Sequence, residues 1–281
     1  MVGHLLSFGH GYSAQALTKR LLPLGWEVTG TTRNPEKAKT LSDLGVNAIL
    51  WNSNSIDKVL EKASAILVSI GPEKSGDPVI ERWGSKIIEC AQNFSWVGYL
   101  STTSVYGDHK GEWVDENTTP EPTTERGKRR LSIENQWQNL GFLPIHIFRL
   151  AGIYGPERTP LTKVRDGKAQ RIKKPGQFFS RIHVEDIANV LKASLEAPNP
   201  GSIYNVCDDC PAPPQDVIGY AYELLALKPP PEINFEVAKL SEMAKSFYSD
   251  SKKVRNEKIK RELRVQLNYP NYKVGLNSMK D

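Results

Sequence analysis

The chain has 281 residues, 39% hydrophobic and 25% charged, an ordinary globular mixture with enough apolar content for a real core and no need of a disulfide scaffold. Its formal net charge of +5 is small and spread out, which gives no argument for nucleic acid, and no stretch approaches the ~20 apolar residues of a membrane span. Three cysteines fit a reducing compartment, and the opening MVGHLLSFGHG lacks a basic region followed by a long apolar run, so no signal peptide is expected and the cytoplasm is the expected compartment.

In chain order, HLLSF (4–8) reads as a strand and SAQALTKRLLPLG (13–25) as a helix with a glycine stop. WEVTGTT (26–32) is a strand. Asn34 and Pro35 then open a helix through Leu44, asparagine as cap and proline at the first helical position. NAILW (47–51), AILVSI (65–70), WVGYLST (96–102) and PIHIFRL (144–150) are further strands, with helices between them, including 77–94. Near-continuous apolar strands alternating with helices predict a doubly wound, mostly parallel α/β sheet, the Rossmann fold. After Leu150 the alternation weakens and Pro/Gly-rich pieces appear. This divides the chain into a dinucleotide-binding domain over 1–155 and a smaller, discontinuous substrate-side region over 156–281, some of whose segments return to the core.

The first strand runs directly into Gly9-x-Gly11-x-x-Ala14, which opens the first helix. Gly9 allows a tight turn, Gly11 a close backbone approach to a pyrophosphate, and Ala14 close packing of helix on strand. The N–H groups at the helix start, with Tyr12 and Ser13 in its first turn, complete the expected phosphate site. The second strand ends in Gly30, Thr31, Thr32 and Arg33, without the acid that would bind the ribose 2′-OH of NAD. Arg33 can grip a 2′-phosphate, with Thr31 and Thr32 as hydroxyl donors, so NADP(H) is expected over NAD(H); a merely solvated Arg33 is the alternative. Ser69 and Gly71, at the end of the fourth strand, should run their backbone beside the cofactor.

The helix containing TERGKRRLSIEN (124–135) poses a separate question. At 100° per residue Arg126, Arg130, Ile133, Trp137 and Leu140 fall within one narrow arc, so two arginines sit on the stripe that a helix turns inward. They need a partner, a ligand or a route to water.

Five ordered segments resemble the extended short-chain dehydrogenase/reductase family, the NAD-dependent epimerase/dehydratase group: STTSVYGD (101–108), FRLAGIYGP (148–156), SRIHVEDIANVLKASL (180–195), SIYNVCDD (202–209) and 251–276, the last similar to a C-terminal helix and closing strand. The resemblance implies a Ser/Thr–Tyr–Lys chemistry with the Ser/Thr at Thr102. Gly127 and Glu134 keep the register of the family's Y-G-x-S-K-x-x-x-E helix, which puts Arg126 at the tyrosine position and Arg130 at the lysine position. This marks an atypical member. Arginine stabilises negative charge but stays protonated, so the tyrosine-based proton transfer is not available there. Arg130 is expected to hold ribose hydroxyls or the carboxylate of Glu134. Gly152 replaces the family's asparagine, which puts nucleotide-sugar recognition in doubt.

Tyr106 has two readings, a substitute acid/base or a packed tyrosine bonded to backbone, the second weighing more. His183 is read as a cap or packing residue, with proton transfer as the lesser alternative. Asp115 and Glu116 should brace a loop, the basic run Lys252–Arg261 should be a solvated helix face, and Cys207 and Cys210 should be strand-end thiols. No metal site is expected. The expected function is an NADP(H)-binding, epimerase/dehydratase-like oxidoreductase acting on a small anionic substrate, with Thr102, Arg126 and Arg130 in the site. A catalytically inactive NADPH-binding sensor or scaffold is the alternative, and a nucleotide-sugar epimerase the third. The resemblance further implies a homodimer through helices 77–94 and 123–139, and neither nucleic acid nor membrane as partner.

Overall fold

The computed structural model describes residues 2–280. The first half alternates strand and helix: β1 (His4–Phe8), α1 (Tyr12–Leu21), β2 (Glu27–Thr32), α2 (Pro35–Asp43), β3 (Asn47–Leu50), α3 (Ile56–Leu60), β4 (Ala65–Val68), α4 (Pro78–Glu89) and β5 (Trp96–Thr102). A short β6 (Trp113–Val114), α5 (Glu125–Gln138) and β7 (Ile145–Leu150) follow. The remainder comprises β8 (Gly152–Tyr154), α6 (Pro160–Arg165), β9 (Arg171–Lys173), β10 (Arg181–His183), α7 (Val184–Glu196), β11 (Ile203–Val206), α8 (Pro214–Leu224), β12 (Glu232–Asn234), α9 (Glu242–Phe247), β13 (Lys253–Val254), α10 (Glu257–Glu262) and α11 (Tyr272–Asn277).

Seven strands form one sheet in the order β11-β7-β5-β4-β1-β2-β3. Every pairing in it is parallel. Covering on both faces follows from the strands themselves: Leu5, Leu6 and Phe8, and all of Ala65–Val68, are buried, so neither face can meet water. One core layer gathers α1 and α7 with Leu5, Trp96 and Phe148; the other gathers α4 and α5 with Phe8, Tyr99 and Trp137. A third cluster lies in the later region, around Tyr154, Leu161, Val217 and Leu276. The later chain divides between the two: β11 joins the main sheet beside β7 and α7 packs on α1, while β8–β10 and β9–β12 form small separate pairs.

Side-chain caps set most helix starts. Asn34 Oδ1 accepts from the N–H groups of Glu36 and Lys37, Asp77 Oδ1 from Val79 and Ile80, and Thr124 Oγ1 from Gly127. Strand order reverses between β1, which leads outward to β2, and β4, which leads the other way. Phe8 lies opposite Val68, so the loops leaving β1 and β4 emerge side by side. This switch point is where open α/β sheets bind ligands. No described helix is long and apolar enough to cross a membrane.

Candidate functional site

The turn after β1 is held from below by β2. Gly9 has φ +76°, and a Cβ there would meet Ile70 Cγ1 at 2.4 Å, so only glycine fits. Its N–H donates to Thr31 Oγ1 at 2.8 Å, and the His10 N–H donates to the Thr31 carbonyl at 2.9 Å. The Ser69 hydroxyl donates to the Gly9 carbonyl and thereby joins the β1 and β4 loops. Thr31 therefore props the turn instead of facing a 2′-phosphate, and Thr32 Oγ1 accepts from the Asn34 N–H at the entry to α2. Gly30 serves the same turn: a Cβ on it would overlap the buried His10 ring at 2.6–2.8 Å. His10 and Gly30 are site residues that sequence reasoning missed, because the glycine pattern marks the turn and not what lies beneath it.

Above the turn there is open space. A Cβ on Gly11 would meet only the Gly9 carbonyl, at 3.6 Å. No side chain caps α1, and the N–H groups of Tyr12, Ser13 and Ala14 have no protein partner among the described residues. Unpaired donors at a helix N-terminus, beside a turn with room above Gly11, suit a pyrophosphate. The Tyr12 side chain does something else: its hydroxyl donates to the Pro156 carbonyl at 2.7 Å, which ties the turn to the loop after β8.

Arg33 stands exposed at the end of β2. Its guanidinium lies 5.6 Å from the Trp51 ring centre and pairs with Glu73 at 2.5 Å. Glu73 comes from the loop after β4 and carried no signal in the sequence.

The two arginines of α5 have different surroundings. Gly127 lets the helix start against the turn Thr103–Tyr106, since a Cβ there would lie 2.8 Å from the Ser104 carbonyl. This contact seats the start of α5 on the turn that follows Thr102, whose Oγ1 accepts from the Ser104 N–H and keeps its own proton to donate. Arg126 makes no ion pair among the described residues; Phe247 of α9 lies 5.8 Å away across its ring. Burial, then the charges of Arg130 and Arg158, lower its pKa. Arg158, also without an ion pair among the described residues, is a third cation at this end of the sheet that the sequence did not single out. Arg130 is fixed: Nη1 donates to the Tyr99 hydroxyl at 3.0 Å and to the Leu100 carbonyl at 2.9 Å. Its Nη2 would lie 3.5 Å from a Cβ on Gly71, so it reaches from α5 across the end of β5 to the β4 loop.

Three expectations are corrected. Glu134 does not pair with Arg130; it is buried and bound by Arg149 of β7, with Nη2 to Oε2 at 2.8 Å and Nε within 3.3 Å of both oxygens, and it also accepts from the Ser101 hydroxyl. Tyr106 is not an acid/base. It is fully buried, its hydroxyl donates to Asn205 Oδ1 at 2.8 Å, and burial pushes its pKa up to about 12. Its partner is a side chain, not backbone. Lys252 is not on a solvated helix face: it is buried ahead of α10, and its Nζ donates to the Gly107 carbonyl at 2.6 Å.

The other side chains keep the roles read for them. His183 caps α7, with Nδ1 accepting from the Glu185 N–H at 3.2 Å. Asp115 accepts from Asn117 and Thr118, and Glu116 accepts from the Asn205 N–H. Cys207 and Cys210 are free thiols just after β11. No metal-ligand cluster occurs among the described residues.

A doubly wound parallel sheet with a glycine turn and an uncapped helix start at its switch point is a dinucleotide-binding Rossmann fold. The chain belongs to the NAD dependent epimerase/dehydratase family, whose model matches residues 8–207, and Arg126 and Arg130 make it an atypical member. A conserved protein of unknown function from Silicibacter pomeroyi is 53% identical and superposes with a TM-score of 0.94 over 99% of this chain and 98% of its own. Protein YeeZ of Escherichia coli K12 is 29% identical over 236 residues, 79% of this chain and 84% of YeeZ. The fold alone is shared with UDP-glucuronic acid 4-epimerase from Bacillus cereus, solved with NAD (18% identity, TM-score 0.75, 98% and 96% covered). It is likewise shared with human epimerase family protein SDR39U1, solved with NADPH (17%, TM-score 0.75, 99% of each chain).

Proposed function

We propose that this chain is an epimerase/dehydratase-like oxidoreductase that uses NADP(H) in preference to NAD(H) and acts on a small anionic substrate. The observation that carries the reading is Arg126: a guanidinium without a carboxylate partner among the described residues, near Arg130 and Arg158 and at the register of the family's reacting tyrosine. The fit to the cofactor rests on the room above Gly11 and the free N–H groups of Tyr12–Ala14, with Arg33 as the group for a 2′-phosphate. The bound dinucleotide would supply or take up a hydride. Arg130, anchored by Tyr99, faces Gly71 and would hold a ribose hydroxyl. Arg126 would bind a carboxylate, a phosphate or a developing oxyanion, and Thr102 would donate to the reacting oxygen. Arg126 does not give up its proton, so the proton that balances hydride transfer comes from water.

Arg126→Ala should lower kcat/KM for a true substrate about 100-fold, the scale for losing one charged stabiliser of a developing anion, while NADPH affinity stays within about twofold. Turnover of NADPH against a panel of small keto acids and phosphorylated carbonyl compounds measures this, and unchanged kcat/KM removes Arg126 from the mechanism. A second reading is favoured by one observation: the hydroxyls of Tyr99 and Tyr106, beside α5, are buried and engaged. It makes the protein an NADPH-binding sensor without turnover. Tight NADPH binding with no oxidation across the panel would select it.

A further inference from the structure

The geometry points to Glu73 as a second determinant of cofactor choice, set against Arg33. This rests on the NADP(H) reading above. The loop that carries Glu73 leaves β4 at the glycine turn, where the Ser69 hydroxyl is bonded to the Gly9 carbonyl. It closes on itself through the Glu73 N–H, which donates to the Gly76 carbonyl at 2.8 Å. Glycine suits this position because its φ is +150°, a conformation that L side chains rarely adopt. The closed loop delivers the Glu73 carboxylate to Arg33 Nη2 at 2.5 Å. Trp51 backs the guanidinium and is itself packed edge-on against Trp83 with ring centres 4.7 Å apart. Arg33 is thus held between a wedged indole and a carboxylate, with both charged side chains about half exposed to solvent.

The two cofactors meet this arrangement differently. A 2′-phosphate seeks the bidentate guanidinium edge and must displace Glu73 or share Arg33 with it against like-charge repulsion. A 2′-hydroxyl leaves the ion pair intact and can donate to the free Glu73 oxygen. Glu73 therefore weakens NADPH binding and tolerates NADH, so the preference set by Arg33 is a reduced one. An exposed pair of this kind is worth at most about a fivefold factor in an equilibrium, and the removed repulsion adds to it.

The test is a titration of NADPH and NADH by nucleotide fluorescence on the full chain and three variants. Glu73→Gln keeps the size and the backbone turn; it should tighten NADPH about three- to tenfold, leave NADH within about twofold, and lose most of its gain at high salt. Arg33→Ala should weaken NADPH about tenfold or more with little effect on NADH, and Glu73→Gln added to it should recover only the share due to repulsion, less than its gain with Arg33 present. Unchanged or weaker NADPH binding in Glu73→Gln, with NADPH still selectively weakened in Arg33→Ala, overturns the role of Glu73 and leaves the NADP(H) reading standing. An unchanged NADPH/NADH ratio in Arg33→Ala overturns both.

Discussion

Replacing Arg149 with alanine should cost about 3–5 kcal/mol, the scale for stranding one member of a buried ion pair. Glu134 and Arg149 are 1% and 3% exposed, and the guanidinium meets the carboxylate as a two-pronged fork. Without Arg149 the carboxylate keeps only the Ser101 hydroxyl, in a layer lined by the Tyr106 ring that Arg149 now covers at 4.8 Å. For a chain of 281 residues the midpoint of thermal unfolding should fall by about 5–8 °C. Denaturant unfolding measures the loss, and a change below about 1 kcal/mol would show that the pair is not what holds α5. The double variant Glu134→Leu, Arg149→Met should lose less than the two single changes summed, because an apolar pair leaves no charge behind.

The pair also bears on function through placement. It ties α5 to β7, and through Ser101 it reaches the residue before Thr102. A fork fixes the rotation of a helix more narrowly than apolar packing does. Arg126 and Arg130 stand two turns and one turn before Glu134, so the same contact that locks the helix aims them at the switch point.

Patterns of local origin were legible in the sequence and long-range partners were not. The strands that build the sheet, the glycine turn, the Asn34 cap and the register of Arg126 and Arg130 each follow from residues within one or two elements, where periodicity and backbone sterics decide. The partner of Glu134 lies 15 residues away on another element, that of the Tyr106 hydroxyl 99 residues away and that of Arg33 40 residues away. A glutamate four residues after an arginine on a helix suggests a local pair. Here Arg149 reaches Glu134 from the sheet, and Arg130 turns to Tyr99. Lys252 shows the same limit: a basic run reads as a wetted face unless one knows that the chain passes under the Gly107 carbonyl.

Acid should begin to destabilise the protein below about pH 6.5, because three histidines are held neutral in the interior. His10, His146 and His183 are at most 2% exposed, and burial pulls each pKa from 6.5 down to about 4. The unfolded chain takes up these protons near pH 6.5 and the folded chain only near 4, so their stabilisation is complete above 6.5 and lost as the pH falls to 4. A gap of about 2.5 pH units at about 1.4 kcal/mol each is about 3 kcal/mol per histidine, roughly 10 kcal/mol for the three. Asp208 opposes them: burial raises its carboxyl from 3.8 to about 7, so it adds about 4 kcal/mol as the pH falls through the same window. Burial of Asp186 and Glu116, which raises both carboxyls, opposes the histidines in the same sense, so the loss is smaller than the histidines alone would give. The hydrogen bonds show where it falls. His146 Nε2 accepts from the Asn199 N–H at 2.9 Å and His183 Nδ1 from the Glu185 N–H, and a protonated ring can do neither. His10 lies inside the glycine turn against Gly30, so its protonation disturbs the phosphate site directly. Denaturation free energies at intervals from pH 7.5 to 4.5 should trace the decline, while NADPH affinity should fall only as the pH nears 4, where the folded His10 ring takes up its proton. His183→Asn, which keeps a capping side chain without a group that titrates, should remove about a third of the histidine-linked slope. A flat profile, or an unchanged slope in that variant, would place the acid sensitivity elsewhere.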